Sequence, residues 1–147
     1  MASRRFRVLM VCSGNICRSP LAEAVLLNRR TDSVSNVSSA GIGALVGSAA
    51  HPEAVRVADL KGLDISGHRA RQFDRTLAQS HDLVLVMEHY QRQWIEQAFP
   101  YLQGRVHLLG KWRSREIADP FRKESQAFDQ AMEEITQAVE DWRLRLR

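Results

Sequence analysis

The chain lacks most of what marks a secreted, membrane-bound or metal-dependent protein. Cysteine is scarce: Cys12 and Cys17 are the only two among 147 residues. Two thiols five positions apart do not make the disulfide framework of a small secreted domain, which leaves a reactive thiol or a metal site to weigh. Two cysteines do not close a zinc site. His51 and His68, the nearest histidines in sequence, give none of the short Cys/His spacing of zinc modules, so neither a metal nor another cofactor is expected. Long apolar runs are missing too. "VLMVC" and "LVLVM" are too short to cross a bilayer, and "MASRRFRVLMVC" lacks the extended apolar region of a secretory signal, so the expectation is a cytoplasmic protein that does not insert into a membrane. Nor does charge dictate a partner: 21 Lys and Arg against 17 Asp and Glu leave a formal +4, which suits an anionic ligand without requiring one. The basic residues are dispersed, apart from Arg4, Arg5 and Arg7 and the tail "DWRLRLR". No basic-aromatic stripe marks a nucleic-acid reader, and no repeat, linker or low-complexity tract appears.

What is present suffices for one core. With 44% hydrophobic residues, a chain of this length builds a single substantial core, and residues 1–147 are read as one domain. "RVLMVC" is a short, nearly continuous apolar run, the pattern of a strand buried on both faces of a parallel sheet. "SPLAEAVLLNRR" follows as a helix, with Ser19 at the N-cap, Pro20 at the first helical position and Leu21, Ala24, Val25 and Leu27 along one side. A second strand is expected near "SVSNVSSA", then the Gly-rich loop "GIGALVG" and a helix over "PEAVRVADLK" that stops at Gly62. "DLVLVME" reads as the third strand, "HYQRQWIEQAF" as a helix ended before Pro100, and "RVHLLG" as the fourth strand. The C-terminal stretch is a helix with Phe128, Met132, Ile135, Val139 and Trp142 at helical spacing. Strands alternating with helices predict a three-layer α/β fold, a four-stranded and mostly parallel sheet flanked by helices. Ligands of such folds sit beyond the carboxyl ends of the strands, where a phosphate-binding loop follows strand 1.

That place is occupied by "CSGNICRS". A tight loop between a strand and a helix turns successive N–H groups inward, and the helix adds its positive end, so an anion such as phosphate is the natural guest. Gly14 and Asn15 are residue types that accept the left-handed backbone such a loop needs. A thiol in that field is favoured as thiolate, since helix N-termini and cations stabilise the charged form, and a thiolate beside phosphate is a nucleophile. Arg18 offers a planar fork for two phosphate oxygens. A cysteine near a strand end is, on its own, most often a small buried hydrophobe. The joint pattern Cys-x5-Arg-Ser at this junction is more specific, and it lacks the Gly-Lys-Ser/Thr ending of a Walker loop, which argues against an ATPase.

"VCSGNICRSPLAEAV" resembles the signature of the low-molecular-weight protein tyrosine phosphatases, and the similarity continues through "SSAG", "GHRARQFD", "DLVLVME" and "ADPFRKE". Within that family the chain looks most like bacterial members that act with tyrosine kinases of capsule and exopolysaccharide export. The resemblance implies that Cys12 takes the phosphoryl group, that Arg18 binds it, and that the backbone of Ser13, Gly14, Asn15, Ile16, Cys17 and Arg18 cradles the phosphate or a similar oxyanion. It implies that Ser19 hydrogen-bonds the thiolate, with Asn15, Ser39 and His68 holding the loop. Asp119, which read alone is a turn initiator before Pro120, becomes the acid that protonates the leaving oxygen; phenolate leaves badly because tyrosine has a pKa of about 10. No metal is required. Cys17 by the same likeness forms a reversible disulfide with the nucleophile under oxidation; a small side chain packed under the loop is its other reading. The implied partner is a phosphotyrosine protein, in particular a polysaccharide-export kinase.

The chain also departs from the pattern. Many members carry an aromatic residue in the loop after "SAG" and a Tyr-Tyr pair after the Asp-Pro, whereas "GIGALVG" and Phe121-Arg122 stand here. The implied substrate wall is aliphatic on one side, at Leu45, with Phe121 opposite and Arg122 attracting acidic flanking sequence; ordinary loop packing is the alternative. Three rival functions use the same loop. Arsenate reductases of this fold need further cysteines, and none follows Cys17. Protein-arginine phosphatases of the family carry threonine where Ile16 stands, so Ile16 favours phosphotyrosine. A binding module without catalysis would drop the nucleophile or the acid. Trp94, Trp112 and Trp142 read as packing residues, Trp112 lying near the acid loop, and His51, His81, His89 and His107 read as surface or capping residues.

Overall fold

The computed structural model describes residues 5–146, so Arg4 and Arg147 of the two basic clusters lie outside the described residues. Strand β1 (Phe6–Cys12) runs through the centre of the molecule, and its alternating side chains serve two cores. Val8 and Met10 point to the face covered by α1 (Arg18–Arg29), α2 (Pro52–Leu60) and α5 (Ser125–Arg143). Leu9 and Val11 point to the face covered by α3 (Arg75–Gln79) and α4 (His89–Ala98). Strand β3 (Leu83–Val86) divides in the same way, Leu85 to one side and Val84 and Val86 to the other. A strand buried on both faces reads as a continuous apolar run for this reason.

The sheet has the order β2-β1-β3-β4, with β2 at Val34–Gly41 and β4 at Val106–Leu108, and each neighbouring pair is parallel. In register, Met10 lies between Ser39 of β2 and Leu85 of β3. The chain leaves β1 towards one edge of the sheet and then crosses to the other, so the connections diverge at the carboxyl ends of β1 and β3. A crevice forms at such a switch point, and β1 delivers Cys12 into it.

Several expectations are corrected. Helix α1 starts at Arg18 with Cys17 at the N-cap position, not at Ser19. The Ser19 hydroxyl is engaged by Cys12 and Asn15 and does not cap the helix. Pro20 is accordingly the third helical residue, still within the first turn, where a missing N–H breaks no intrahelical bond. Trp94 and Trp112 are exposed, while Trp142 is buried with its Nε1 donating to the Leu109 carbonyl at 2.9 Å. His81 is buried, donates from Nδ1 to the Leu77 carbonyl at 2.8 Å, and has its pKa lowered chiefly by that burial. His51 does cap: its Nδ1 accepts from Glu53 N at the start of α2. The five-residue α3, capped by Asp74, is too short to leave a periodic pattern in the sequence. Among the described residues, no helix is long and apolar enough to cross a membrane.

Candidate active site

The loop from Ser13 to Cys17 is shaped from outside. The carbonyls of Cys12, Ser13, Gly14 and Ile16 accept hydrogen bonds from the backbone N–H groups of Ile42, Gly43, Leu45 and His51, at 2.9 to 3.1 Å. The Asn15 carbonyl accepts from His68 Nε2 at 2.7 Å, and because a carbonyl only accepts, that nitrogen carries a hydrogen. Five successive carbonyls thus point outward, which turns the intervening N–H groups inward. Among the described residues, the N–H groups of Ser13 to Cys17 donate to no protein acceptor. This is the concave array of backbone dipoles that binds an anion.

Asn15 makes the turn possible and anchors it. Its backbone is left-handed, with φ 59°, a conformation asparagine tolerates better than most residues. The buried side chain donates from Nδ2 to Ser19 Oγ (2.7 Å) and Ser39 Oγ (3.1 Å), and accepts from Arg71 N at Oδ1 (2.9 Å). Ser39 in turn donates to Glu23 Oε1 at 2.6 Å. Ser19 Oγ, which accepts from Asn15 Nδ2 and donates to the Ala40 carbonyl at 3.4 Å, is also hydrogen-bonded to Cys12 Sγ, 2.9 Å away.

Cys12 is buried at the floor of a cavity of about 210 Å³ that also includes Ile16, Arg18, Asp119, Leu45 and Phe121. Arg18 is almost wholly buried. Its Nη1 donates to the Ile117 carbonyl at 2.7 Å and lies 3.0 Å from Glu88 Oε2, while Nη2 lies 3.6 Å from Asp119 Oδ2. Burial pulls the guanidinium pKa down, but Cys12, Asp119 and Glu88 outweigh it and hold it above its ordinary value. Asp119 is partly open to solvent and accepts at Oδ1 from Phe121 N, 3.0 Å away, which fixes the turn that faces the carboxylate to Arg18. Cys17 differs from Cys12: burial, reinforced by Cys12 and Asp119, pushes its thiol up to about 12. Leu45 and Phe121 both line the cavity, and the Arg122 guanidinium lies over the Phe121 ring, 5.4 Å from its centroid.

Sequence reasoning missed four residues. Glu88 clamps Arg18 and, with Gln91, forms the capping box of α4. Buried Gln91 accepts from Met87 N and Glu88 N at Oε1 and donates from Nε2 to Ser13 Oγ, so one side chain joins the Arg18 clamp to the start of the phosphate loop. The Glu-x-x-Gln spacing after a strand was the available signal, although it announces only a helix start. His51 bonds the loop through its N–H, stacks on Phe128 and meets Phe121 edge-on at 5.9 Å, propping that ring. Arg71 supports Asn15 through its N–H and donates from Nε to the Ser39 carbonyl.

The sequence matches the family model described as low molecular weight phosphotyrosine protein phosphatase over residues 7–147. The chain belongs to this family. It is 48% identical over 140 residues, 95% of each chain, to the probable low molecular weight protein-tyrosine-phosphatase EpsP of Ralstonia nicotianae. Among solved structures it superposes on the tyrosine phosphatase Wzb of Escherichia coli K30 in complex with sulphate, with a TM-score of 0.92 and 39% identity, covering 97% of this chain and 99% of that one. An arginine phosphatase, YwlE of Geobacillus stearothermophilus, superposes with a TM-score of 0.90 at 32% identity, covering 96% and 92%. The chain is thus a low molecular weight protein-tyrosine phosphatase.

Proposed function

We propose that this phosphatase hydrolyses phosphotyrosine in proteins through a cysteinyl-phosphate intermediate on Cys12. The observation that carries the reading is the ring of inward N–H groups around Cys12, closed by Arg18 and faced by Asp119. Phosphate oxygens bind the loop N–H groups from Ser13 onward and the Arg18 fork. The thiolate attacks phosphorus, the bond from phosphorus to the phenolic oxygen breaks, and Asp119 gives that oxygen its proton. Water then attacks the cysteinyl-phosphate with Asp119 as base, releasing inorganic phosphate and returning the thiolate. Charge on the equatorial oxygens is met by donors already fixed in place, so little reorganisation is needed during the reaction. Ser19 holds the thiolate, and Asn15, Ser39 and His68 keep the loop in shape.

Leu45 and Phe121 form the walls for the phenyl ring, and Arg122 at the rim draws acidic flanking residues. The physiological substrate on this reading is a bacterial tyrosine kinase of polysaccharide export, as the resemblance to phosphatases of that class implies. Phosphate release from matched phosphotyrosine, phosphoserine and phosphoarginine peptides, without added metal, tests the proposal in the parent and Cys12→Ser. Release from phosphotyrosine alone, abolished by the substitution, is expected. Preference for phosphoarginine would overturn the argument from Ile16, and binding of phosphopeptide without hydrolysis would make the protein a binding module.

A further inference from the structure

Helix α4 carries an aromatic edge that the chemistry leaves unused. Tyr90 and Trp94 stand one helical turn apart and are 49% and 39% exposed, whereas Gln91 and Ile95 on the inward face are fully buried. Trp112 and Tyr101 are equally exposed but have partners in their own chain: Arg145 lies 4.0 Å from the Trp112 ring, which also packs on Trp142, and Tyr101 meets Phe99 edge-on. Among the described residues, no ring or cation stacks on Tyr90 or Trp94.

This edge is continuous with the active site. The Tyr90 hydroxyl is hydrogen-bonded to Ser13 Oγ, and Gln91 Nε2 reaches both, at 3.1 Å to Ser13 and 3.4 Å to Tyr90. Ser13 lines the catalytic cavity, so the Tyr90 ring is pinned at its rim. A cavity of about 210 Å³ takes a phosphotyrosine side chain and leaves the residues on either side of it lying across the rim. Four helical residues advance about 6 Å, the span of about two residues of extended chain. A substrate crossing this side of the rim therefore passes Tyr90 first and Trp94 about two residues later. The surroundings are neutral: Arg92 is paired with Glu96 at 2.9 Å, and the exposed neighbours Gln93 and Gln97 carry no charge.

Resting on the phosphotyrosine reading, we propose that Tyr90 and Trp94 form a docking edge for the substrate polypeptide, receiving an apolar side chain two to four residues from the phosphotyrosine. Tyrosine and tryptophan are the residue types that concentrate binding energy at protein interfaces, and an uncharged aromatic strip complements an apolar flank rather than an acidic one.

The test compares two phosphotyrosine peptides, one with leucine two to four residues from the phosphotyrosine and one with serine there, alongside a small aryl phosphate, for the parent and Trp94→Ala. The parent is expected to favour the leucine peptide by about tenfold in kcat/KM, mostly through KM. Trp94→Ala is expected to reduce that preference to within about twofold while turning over the aryl phosphate like the parent. Equal preference in both proteins would overturn the proposal. So would equal loss on the aryl phosphate, which assigns Trp94 to the fold, or a parent dimer that Trp94→Ala dissociates, which assigns the edge to a second copy. Absence of hydrolysis on every phosphotyrosine compound would instead refute the reading on which the proposal rests.

Discussion

Gly41, at the end of β2, sets how closely the sheet approaches the phosphate loop, and Gly41→Ala is a direct perturbation of that approach. A Cβ at this position would stand 2.5 Å from the Ser13 carbonyl oxygen, 3.0 Å from Asn15 N and 3.1 Å from Asn15 Cβ. An ordinary carbon-oxygen contact is about 3.3 Å or more, so the Ser13 peptide has to retreat by close to about 1 Å. It cannot do so freely, because its carbonyl is bonded to Gly43 N and Asn15, two residues on, is held by His68, Arg71, Ser19 and Ser39. Overpacking of this kind costs about 1–3 kcal/mol, which in a chain of this size lowers Tm by roughly 2–12 °C. The same displacement moves the loop N–H groups relative to the Cys12 sulfur, and a misplacement of about 1 Å in a positioned site costs on the order of a hundredfold in rate. Steady-state turnover of an aryl phosphate, with a thermal melt of the same sample, measures both. Gly67→Ala is the control, since nothing lies within 4 Å of its Cβ. A Gly41→Ala enzyme with parental turnover and Tm would refute the claim that this contact constrains the loop.

Three further outcomes are expected. Asp119→Asn slows hydrolysis of phenyl phosphates with poor leaving groups far more than activated ones, measured as the slope of log kcat against leaving-group pKa; equal slowing removes Asp119 from proton transfer. Gln91→Leu strips the acceptor from two N–H groups beside the Arg18 clamp and the donor from Ser13, at a cost of about 2–4 kcal/mol in denaturant unfolding, with a fall in kcat; unchanged stability would mean those N–H groups find other partners. The Cys17 thiol, pushed up to about 12 from 9.0, holds its proton more tightly in the folded protein than in the unfolded chain. Stability from this residue is therefore complete below pH 9 and is lost as the pH climbs towards 12; Cys17→Ala flattens that alkaline limb, and a limb of unchanged slope contradicts the assignment.

The centre of the site was legible in the sequence because its parts are contiguous: an apolar strand, a loop rich in special backbone residues and a helix, all between Val8 and Leu27. The four-stranded, mostly parallel sheet followed from alternating elements, and its strand order came only from the fold. What surrounds the loop was less readable, because each support looks like something ordinary in one dimension. His51 reads as a cap, and it is one, yet its N–H also fixes the loop and its ring props Phe121. Glu88 and Gln91 read as a helix start, and only the fold brings them to Arg18 and Ser13. The start of α1 differed by two residues, since Ser19 has the right chemistry for a cap but a better partner in Cys12. The tryptophans read as packing residues, which holds for Trp142 and for Trp112 against it, whereas Trp94 is exposed, and no periodic signal separates a buried aromatic from one on the surface.

The central claim is that the phosphoryl group passes through Cys12, and trapping it there tests that claim most directly. Asp119→Asn, which slows loss of the intermediate, is mixed with an activated aryl phosphate, quenched in acid within the first turnover, digested and read by mass spectrometry. The account predicts one phosphoryl group on the peptide that contains Cys12, absent from a Cys12→Ser sample treated identically. Phosphate found on another residue, or turnover in Cys12→Ser at the parental rate, would contradict it.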